Sequence, residues 1–216
     1  SGQIHLLGTE ITELDEAELF EIRGRVGVLF QEGGLFDSMT IEENVSYPIL
    51  NQRRTPDKKR IDPEQVTGAV REALRFVELE HTLDKFPSQL SGGMRRRVGI
   101  ARAAVTGPPL MLYDSPTAGL DPITANTIMA LVAKARDTKN TTSMIVTHRY
   151  QDGYIMANFR YNSETGQLER TPSNSDSHRK TMFMVFREGS LVFQGTQEEL
   201  QQATDPYVAR FKAPKA

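Results

Sequence analysis

Four short stretches of the chain hold residue types that can handle phosphate. Leu90-Ser91-Gly92-Gly93-Met94 opens a helical pattern over about residues 94–105. A serine followed by two glycines at a helix start offers free backbone N–H groups, an orienting hydroxyl and a positive dipole end, which together cradle a phosphate. Taken alone, it reads first as a capped helix after a glycine turn. Arg95, Arg96 and Arg97 behind it read as a solvated face. Leu110-Met111-Leu112-Tyr113-Asp114 is an apolar run closed by a carboxylate. That puts Asp114 on the ligand-binding edge of an open α/β sheet, where it can hold Mg²⁺ through water beside nucleotide phosphates or simply cap a helix. In Ser115-Pro116-Thr117-Ala118-Gly119-Leu120-Asp121-Pro122, Gly119 and Pro122 impose a tight path, and Asp121 is a natural N-cap before a proline at the first helical position. Thr147-His148 closes the run 142–146. A lone histidine is usually structural, but one at a strand's carboxyl end, in register with Asp114 on the next strand, is placed to face a γ-phosphate.

These residues need a scaffold, and 216 residues suffice for one domain, or one with a lobe, around a real core. With 38% hydrophobic and 25% charged residues the chain is globular in type, neither disordered nor membrane-embedded. No apolar run approaches the roughly 18–20 residues of a spanning helix. Lys+Arg 26 against Asp+Glu 28, a formal charge of −2, argues against a dedicated nucleic-acid surface. The absence of cysteine rules out disulfides and thiolate metal sites and fits a cytoplasmic address. Ser-Gly-Gln-Ile-His-Leu-Leu-Gly at the start has neither a basic n-region nor a signal h-region, so export is not expected. It also lacks a starting methionine, so the chain reads as a fragment.

Short apolar runs alternate with helical patterns, the signature of α/β organisation. Residues 3–11 read as a strand and turn broken at Gly8, 15–22 as a short helix and 26–30 as a strand. Residues 42–50 read as a helix and 51–63 as a polar, basic connector. Over 64–79, Val66, Val70, Leu74 and Val77 recur at three- and four-residue spacing, so one helix face is buried. Residues 110–113 and 142–146 read as buried parallel strands around a helix over 123–135, a right-handed crossover. Residues 162–180 are polar and read as an exposed loop or hairpin tip. Residues 182–186 and 191–193 flank Arg187-Glu188-Gly189-Ser190 as a hairpin, and Gly195-Thr196 opens a short helix with Glu198 and Glu199 in its first turn.

Taken with Phe30-Gln31 after an earlier strand, the four stretches stand in one order and at close spacing. Together they resemble the ATP-binding subunit of ABC transporters over nearly the whole chain. The resemblance implies a P-loop NTPase-like (RecA-like) α/β core lacking its N-terminal strand and Walker A loop. It also implies a helical subdomain over about residues 42–104, an insertion or loop over 158–183 and a C-terminal hairpin and helix over 184–216. Gln31 then matches the Q-loop glutamine, Ser91, Gly92 and Gly93 the signature motif, Asp114 the Walker B aspartate, Asp121 the D-loop and His148 the switch histidine. ATP and Mg²⁺ are the implied cofactors, with Asp114 and Gln31 toward the metal. The implied partners are a second copy, each signature facing the other's phosphate loop, and a membrane permease. The implied address is the cytoplasmic face of the inner membrane, without nucleic acid.

A narrower likeness points to the Mla/Mce-type branch, which moves phospholipids or other hydrophobic molecules across the bacterial envelope and works with an Mce-type lipid carrier. It is carried by Gly27-Val28-Leu29-Phe30-Gln31-Glu32-Gly33-Gly34-Leu35-Phe36, Glu43-Asn44-Val45, Tyr47-Pro48, Gly93-Met94-Arg95, Asp205-Pro206-Tyr207-Val208 and Phe211. Leu35 and Phe36 would then sit where a permease docks its coupling helix, or else in the core.

Two departures limit the match. No Gly-x-x-x-x-Gly-Lys-Ser/Thr occurs in the chain, and without that loop the β- and γ-phosphates lose their main cradle. The simplest expectation is a chain that begins after the phosphate loop and its helix, inactive in this form and poorly stable alone. Ser115 stands where the family usually has the glutamate that polarises the attacking water, and losing a positioned base typically removes ~10²–10⁴-fold in rate. Slow hydrolysis in the complete parent is therefore expected. A non-hydrolysing regulatory or structural partner and a soluble ABC-type ATPase of DNA maintenance stay open, although the heptads or basic face of the latter are missing.

Overall fold

In the computed structural model, which describes residues 2–52, 62–171 and 181–212, the chain divides into two units. The first is Ser1–Pro116 with Asn140–Ile145, the second Thr117–Lys139 with Val146–Ala216. Most of the basic connector expected over 51–63 and the stretch 172–180 lie outside the described residues.

The first unit opens with a hairpin, β1 (His5–Leu6) and β2 (Thr9–Glu10), turned by Leu7 and Gly8 in left-handed conformations. Helix α1 (Glu16–Arg23) starts where the Asp15 carboxylate accepts the Ala17 and Glu18 N–H groups and Glu18 reaches back, a capping box. Strand β3 (Val26–Leu29) leads through the Gln31 turn to α2 (Ile41–Gln52), then α3 (Pro63–Phe76) and α4 (Gly92–Ala104). Helix α3 buries Val70 and Leu74, with Val77 behind, as its periodicity predicts. It stops short of the expected 79 because Glu78 turns left-handed (φ 62). Strand β4 (Leu110–Asp114) runs parallel to β3, Leu29 opposite Tyr113, and β5 (Thr142–Val146) is hydrogen-bonded along its other side.

Helix α4 lies almost directly on β3 and the turn that follows it. A Cβ on Gly27 would fall 2.4 Å from the Ala103 carbonyl oxygen, and one on Gly99 would fall 2.8 Å from the Gly33 carbonyl oxygen and 2.8 Å from Leu29 Cδ1. Gly27, Leu29, Met111 and Tyr113 are buried accordingly. The opposite face departs from expectation. Val28 (39%), Met144 (55%) and Val146 (57%) are exposed, so β5 is not a buried strand. An unbroken apolar run records what a strand is able to bury on both sides, not what covers it.

The loop between β3 and α2 is gathered by one side chain. Asn44, fully buried, accepts the Phe36 N–H at 2.8 Å and donates to the Phe36, Met39 and Thr40 carbonyls at 3.0–3.2 Å. Thr40 and Glu43 close the start of α2 reciprocally. Replacing Asn44 by Ala should lower unfolding free energy by about 2–4 kcal/mol, read from urea midpoints, because the Phe36 N–H and three main-chain carbonyls lose this side chain's hydrogen bonds at once.

The second unit contains α5 (Pro122–Lys139), α6 (Tyr150–Asn158), the hairpin β6 (Phe159–Asn162) and β7 (Gln167–Arg170), the hairpin β8 (Phe183–Arg187) and β9 (Ser190–Gly195), and α7 (Gln197–Gln202). Of residues 162–180, expected as an exposed loop or hairpin tip, the turn is held by Asn162 accepting the Glu164 and Thr165 N–H groups, but 167–170 form a strand, β7. Helix α6 was not legible. Gly153 breaks its pattern, and a side chain there would meet the Phe183 ring at 2.5 Å. Val185, Leu200 and Val208 form a core with Tyr150, Phe193 and Phe211 packed against it. Among the described residues no helix is long and apolar enough to cross a membrane.

At the end of α5, buried Arg136 donates to the Phe159 carbonyl and, through two nitrogens, to Asp137, which also accepts the Tyr161 N–H. Burial pushes the Asp137 carboxyl up, but Arg136 and that N–H hold it below the usual carboxylate range. A depressed carboxylate stabilises the fold above its unfolded pKa of about 3.9, and the contribution is lost as pH falls through the folded value. Urea midpoints of the wild-type chain should therefore fall more between pH 5 and pH 3 than those of Asp137→Asn.

Candidate functional site

Gln31, Ser91, Gly92, Gly93 and Asp114 belong to the first unit. β3 ends one residue before Phe30, and the Gly33 N–H closes a turn on the Phe30 carbonyl at 2.9 Å, leaving Gln31 exposed at its corner. Because Leu29 pairs with Tyr113, Gln31 and Asp114 leave adjacent parallel strands at the same carboxyl edge. This is the edge where open α/β sheets hold ligands.

Ser91 caps α4, its hydroxyl accepting the Met94 N–H at 3.3 Å. Gly92 and Gly93 occupy the first two helical positions, whose N–H groups have no intrahelical acceptor. The serine orders the turn and leaves the two glycine amides without a partner inside the helix. The three arginines behind it are not a solvated face. Arg95 donates to the Leu90 carbonyl at 2.7 Å, Arg97 to the Val77 carbonyl at 3.3 Å, and Arg96, 6% exposed, to the Ser115 carbonyl at 2.8 Å. Burial lowers the Arg96 guanidinium from its ordinary value, and the Glu32 carboxylate partly restores it. Arg102 donates to the Gly34 carbonyl and lies over the Phe36 ring at 4.5 Å and the Tyr47 ring at 5.8 Å, the two rings tilted against each other. Leu35 is half-buried and Phe36 is 36% exposed, so Phe36 is a surface aromatic clamped from one side.

Asp114 is exposed, and one of its oxygens accepts the Ser115 hydroxyl at 3.1 Å. Ser115 itself is left-handed (φ 47), an uncommon state for a residue with a side chain. Tyr113 behind it is buried beside Ser143, and burial pushes its phenol up.

Asp121 and His148 belong to the second unit. Asp121 is the N-cap of α5, accepting the Ile123 and Thr124 N–H groups at 3.0 Å, and its hydrogen bonds with Thr124 hold its carboxyl below the usual range. His148 is exposed in the bend between β5 and α6. The sequence reading missed Asp152, 1% exposed on α6, which accepts hydroxyl protons from Thr117 at 2.6 Å and Thr147 at 2.7 Å.

Residues 1–118 match the family model described as ABC transporter. The chain belongs to the ABC transporter ATP-binding family. It is similar to the intermembrane phospholipid transport system ATP-binding protein MlaF of Haemophilus influenzae, 30% identical over 97% of this chain and 69% of that protein. It is 39% identical to the methionine import ATP-binding protein MetN of Bifidobacterium longum over 69% of this chain, and spans only 35% of that protein's length. The dimeric post-hydrolysis structure of the ATP-binding cassette MJ0796 bound to ADP and Pi superposes with a TM-score of 0.69 at 27% identity. That alignment covers 91% of this chain and 73% of the other.

Mg²⁺ fits what this ABC domain offers only in company. Asp114 presents hard carboxylate oxygens, but among the described residues no group of three or more His, Cys, Asp or Glu could hold a metal. Phosphate oxygens and water would have to supply most of the coordination, as Mg²⁺ prefers. Replacing Arg96 by Met keeps the apolar stem but strips the Ser115 carbonyl of its donor. Unfolding free energy should fall by about 1.5–3 kcal/mol in urea titrations.

Proposed function

We propose that this chain is the part of an ABC transporter ATPase subunit that engages ATP and Mg²⁺ downstream of a phosphate loop. Asp114 is its Walker B carboxylate and, with Gln31, faces the metal; His148 faces the γ-phosphate. Ser91, Gly92 and Gly93 are its signature, offered to the nucleotide of a second copy, and Asp121 is its D-loop. The observation that carries this reading is the exit of Gln31 and Asp114 from adjacent parallel strands at one carboxyl edge. Gln31 and Asp114 would hold a nucleotide-bound Mg²⁺, which would supply charge neutralisation at the phosphate oxygens, and with His148 would orient the attacking water. In the complete parent, slow hydrolysis drives a membrane permease from the cytoplasmic face of the inner membrane. The cargo is phospholipid or another hydrophobic molecule, supplied through an Mce-type carrier. Likeness to MlaF across nearly the whole chain favours that cargo over methionine.

Ser115 favours a second reading, a subunit that binds ATP and closes without turnover. Its hydroxyl is a poor proton acceptor near neutral pH and is already directed at Asp114. Phosphate release separates the two readings. The 216-residue chain alone should show none. The chain joined to a phosphate-loop segment should hydrolyse ATP slowly, and Ser115→Glu there should raise the rate at least about tenfold. ATP binding without turnover in both forms would select the second reading.

A further inference from the structure

Asp152 is a carboxylate with 1% exposure on α6, and ionised side chains are costly to bury unless something specific holds them. One oxygen, Oδ2, accepts two hydroxyl protons, from Thr117 at 2.6 Å and Thr147 at 2.7 Å. The other, Oδ1, is buried with no hydrogen bond among the described residues, and the Arg149 guanidinium lies 3.9 Å from it. All of these residues lie in the second unit.

The two threonines are not interchangeable surface groups. Thr147 Oγ1 also accepts the Arg149 N–H at 3.0 Å, so its single proton is committed to Asp152 and the chain of bonds brackets His148 on both sides. The Asp152 N–H returns to the Arg149 carbonyl at 3.2 Å and closes that turn. Thr117 is 2% exposed, and its carbonyl accepts the Leu120 N–H at 3.3 Å, opening the turn that delivers Asp121 to the start of α5. An apolar side chain would fill the same space without the burial penalty. What it could not do is accept from two loops with one atom.

We propose that Asp152 is a positioning residue that straps the His148 turn to the loop leading into Asp121, so that the two segments hold or shift as one piece. The proposal rests on the reading of His148 and Asp121 as nucleotide-facing groups. It acts through the threonines and touches no nucleotide.

The test records imidazole ¹H–¹³C signals and amide hydrogen exchange in the full chain. Thr117→Val keeps the side chain's shape and deletes only one hydroxyl. It should shift the His148 imidazole signals and raise exchange at Leu120 and Arg149 together by about tenfold, while β8 and β9 amides stay unchanged. Asp152→Ala should do both more strongly. Asp152→Asn, whose amide oxygen still accepts both protons, should restore the wild-type pattern. An unmoved His148 signal in Thr117→Val, equal loosening in the Asn and Ala variants, or exchange rising evenly through the unit would each overturn the strap. A fluorescent ATP analogue titrated in parallel into the chain joined to a phosphate-loop segment separates the two readings: coupled shifts in the full chain without nucleotide binding in the joined form leave the strap standing and remove the nucleotide reading.

Discussion

The first unit depends on a close approach between backbones. Helix α4 reaches β3 and the Gln31 turn only because Gly27, Gly33 and Gly99 present no side chains where the two surfaces meet. Gly33 is also left-handed (φ 88), so the turn needs glycine there for shape as well as for space. Two backbones held this tightly behave as one body, since dense packing transmits displacement rather than absorbing it. The start of α4, with its free glycine amides, therefore has a fixed address relative to Gln31.

Buried charge then locks what packing has brought together. Arg96 and Arg102 donate to main-chain carbonyls of loops, and Arg136 divides its nitrogens between Asp137 and the Met156 and Phe159 carbonyls. Arginine suits this use: its planar fork spans two acceptors and sheds water more easily than an ammonium. Asp137 and Asp152 play the complementary part, collecting donors from segments distant in sequence. In both units the loops that carry the polar landmarks are held by side chains from neighbouring helices. A loop without such ties would sample many arrangements, at an entropy cost whenever a ligand demanded one.

Local signals made much of this legible. Helix α3 announced its buried face through Val70 and Leu74, α1 its start through Asp15 and Glu18, and β8–β9 its turn through Glu188-Gly189. Gln31, Ser91, Asp114, Asp121 and His148 were singled out by type, spacing and family resemblance, and Asp121 is the helix cap its Asp-Pro step foretold. What stayed hidden is tertiary. A run of three arginines looks the same whether it meets water or carbonyls, and Gly153 looks like a helix breaker until Phe183 is seen against it. The alternation of exposure on β5 was masked because Met144 and Val146 are as apolar as a buried strand requires. Asp152 gave no sign beyond its place four residues after His148.

Ser115 joins these strands of argument. Its left-handed backbone turns the chain sharply after Asp114, and the Arg96 guanidinium fixes its carbonyl. A residue with a Cβ pays strain in that conformation, and such strain persists where surroundings over-determine it. The turn is therefore held from α4, the same helix whose start offers the glycine amides, whatever side chain stands at 115. The side chain present directs its proton at Asp114 and so steadies that carboxylate instead of competing for a water. On the proposed reading, geometry that would orient a metal and chemistry for proton removal are thus separable at this turn: the backbone and Arg96 would provide the first, while the second would depend on the group at position 115.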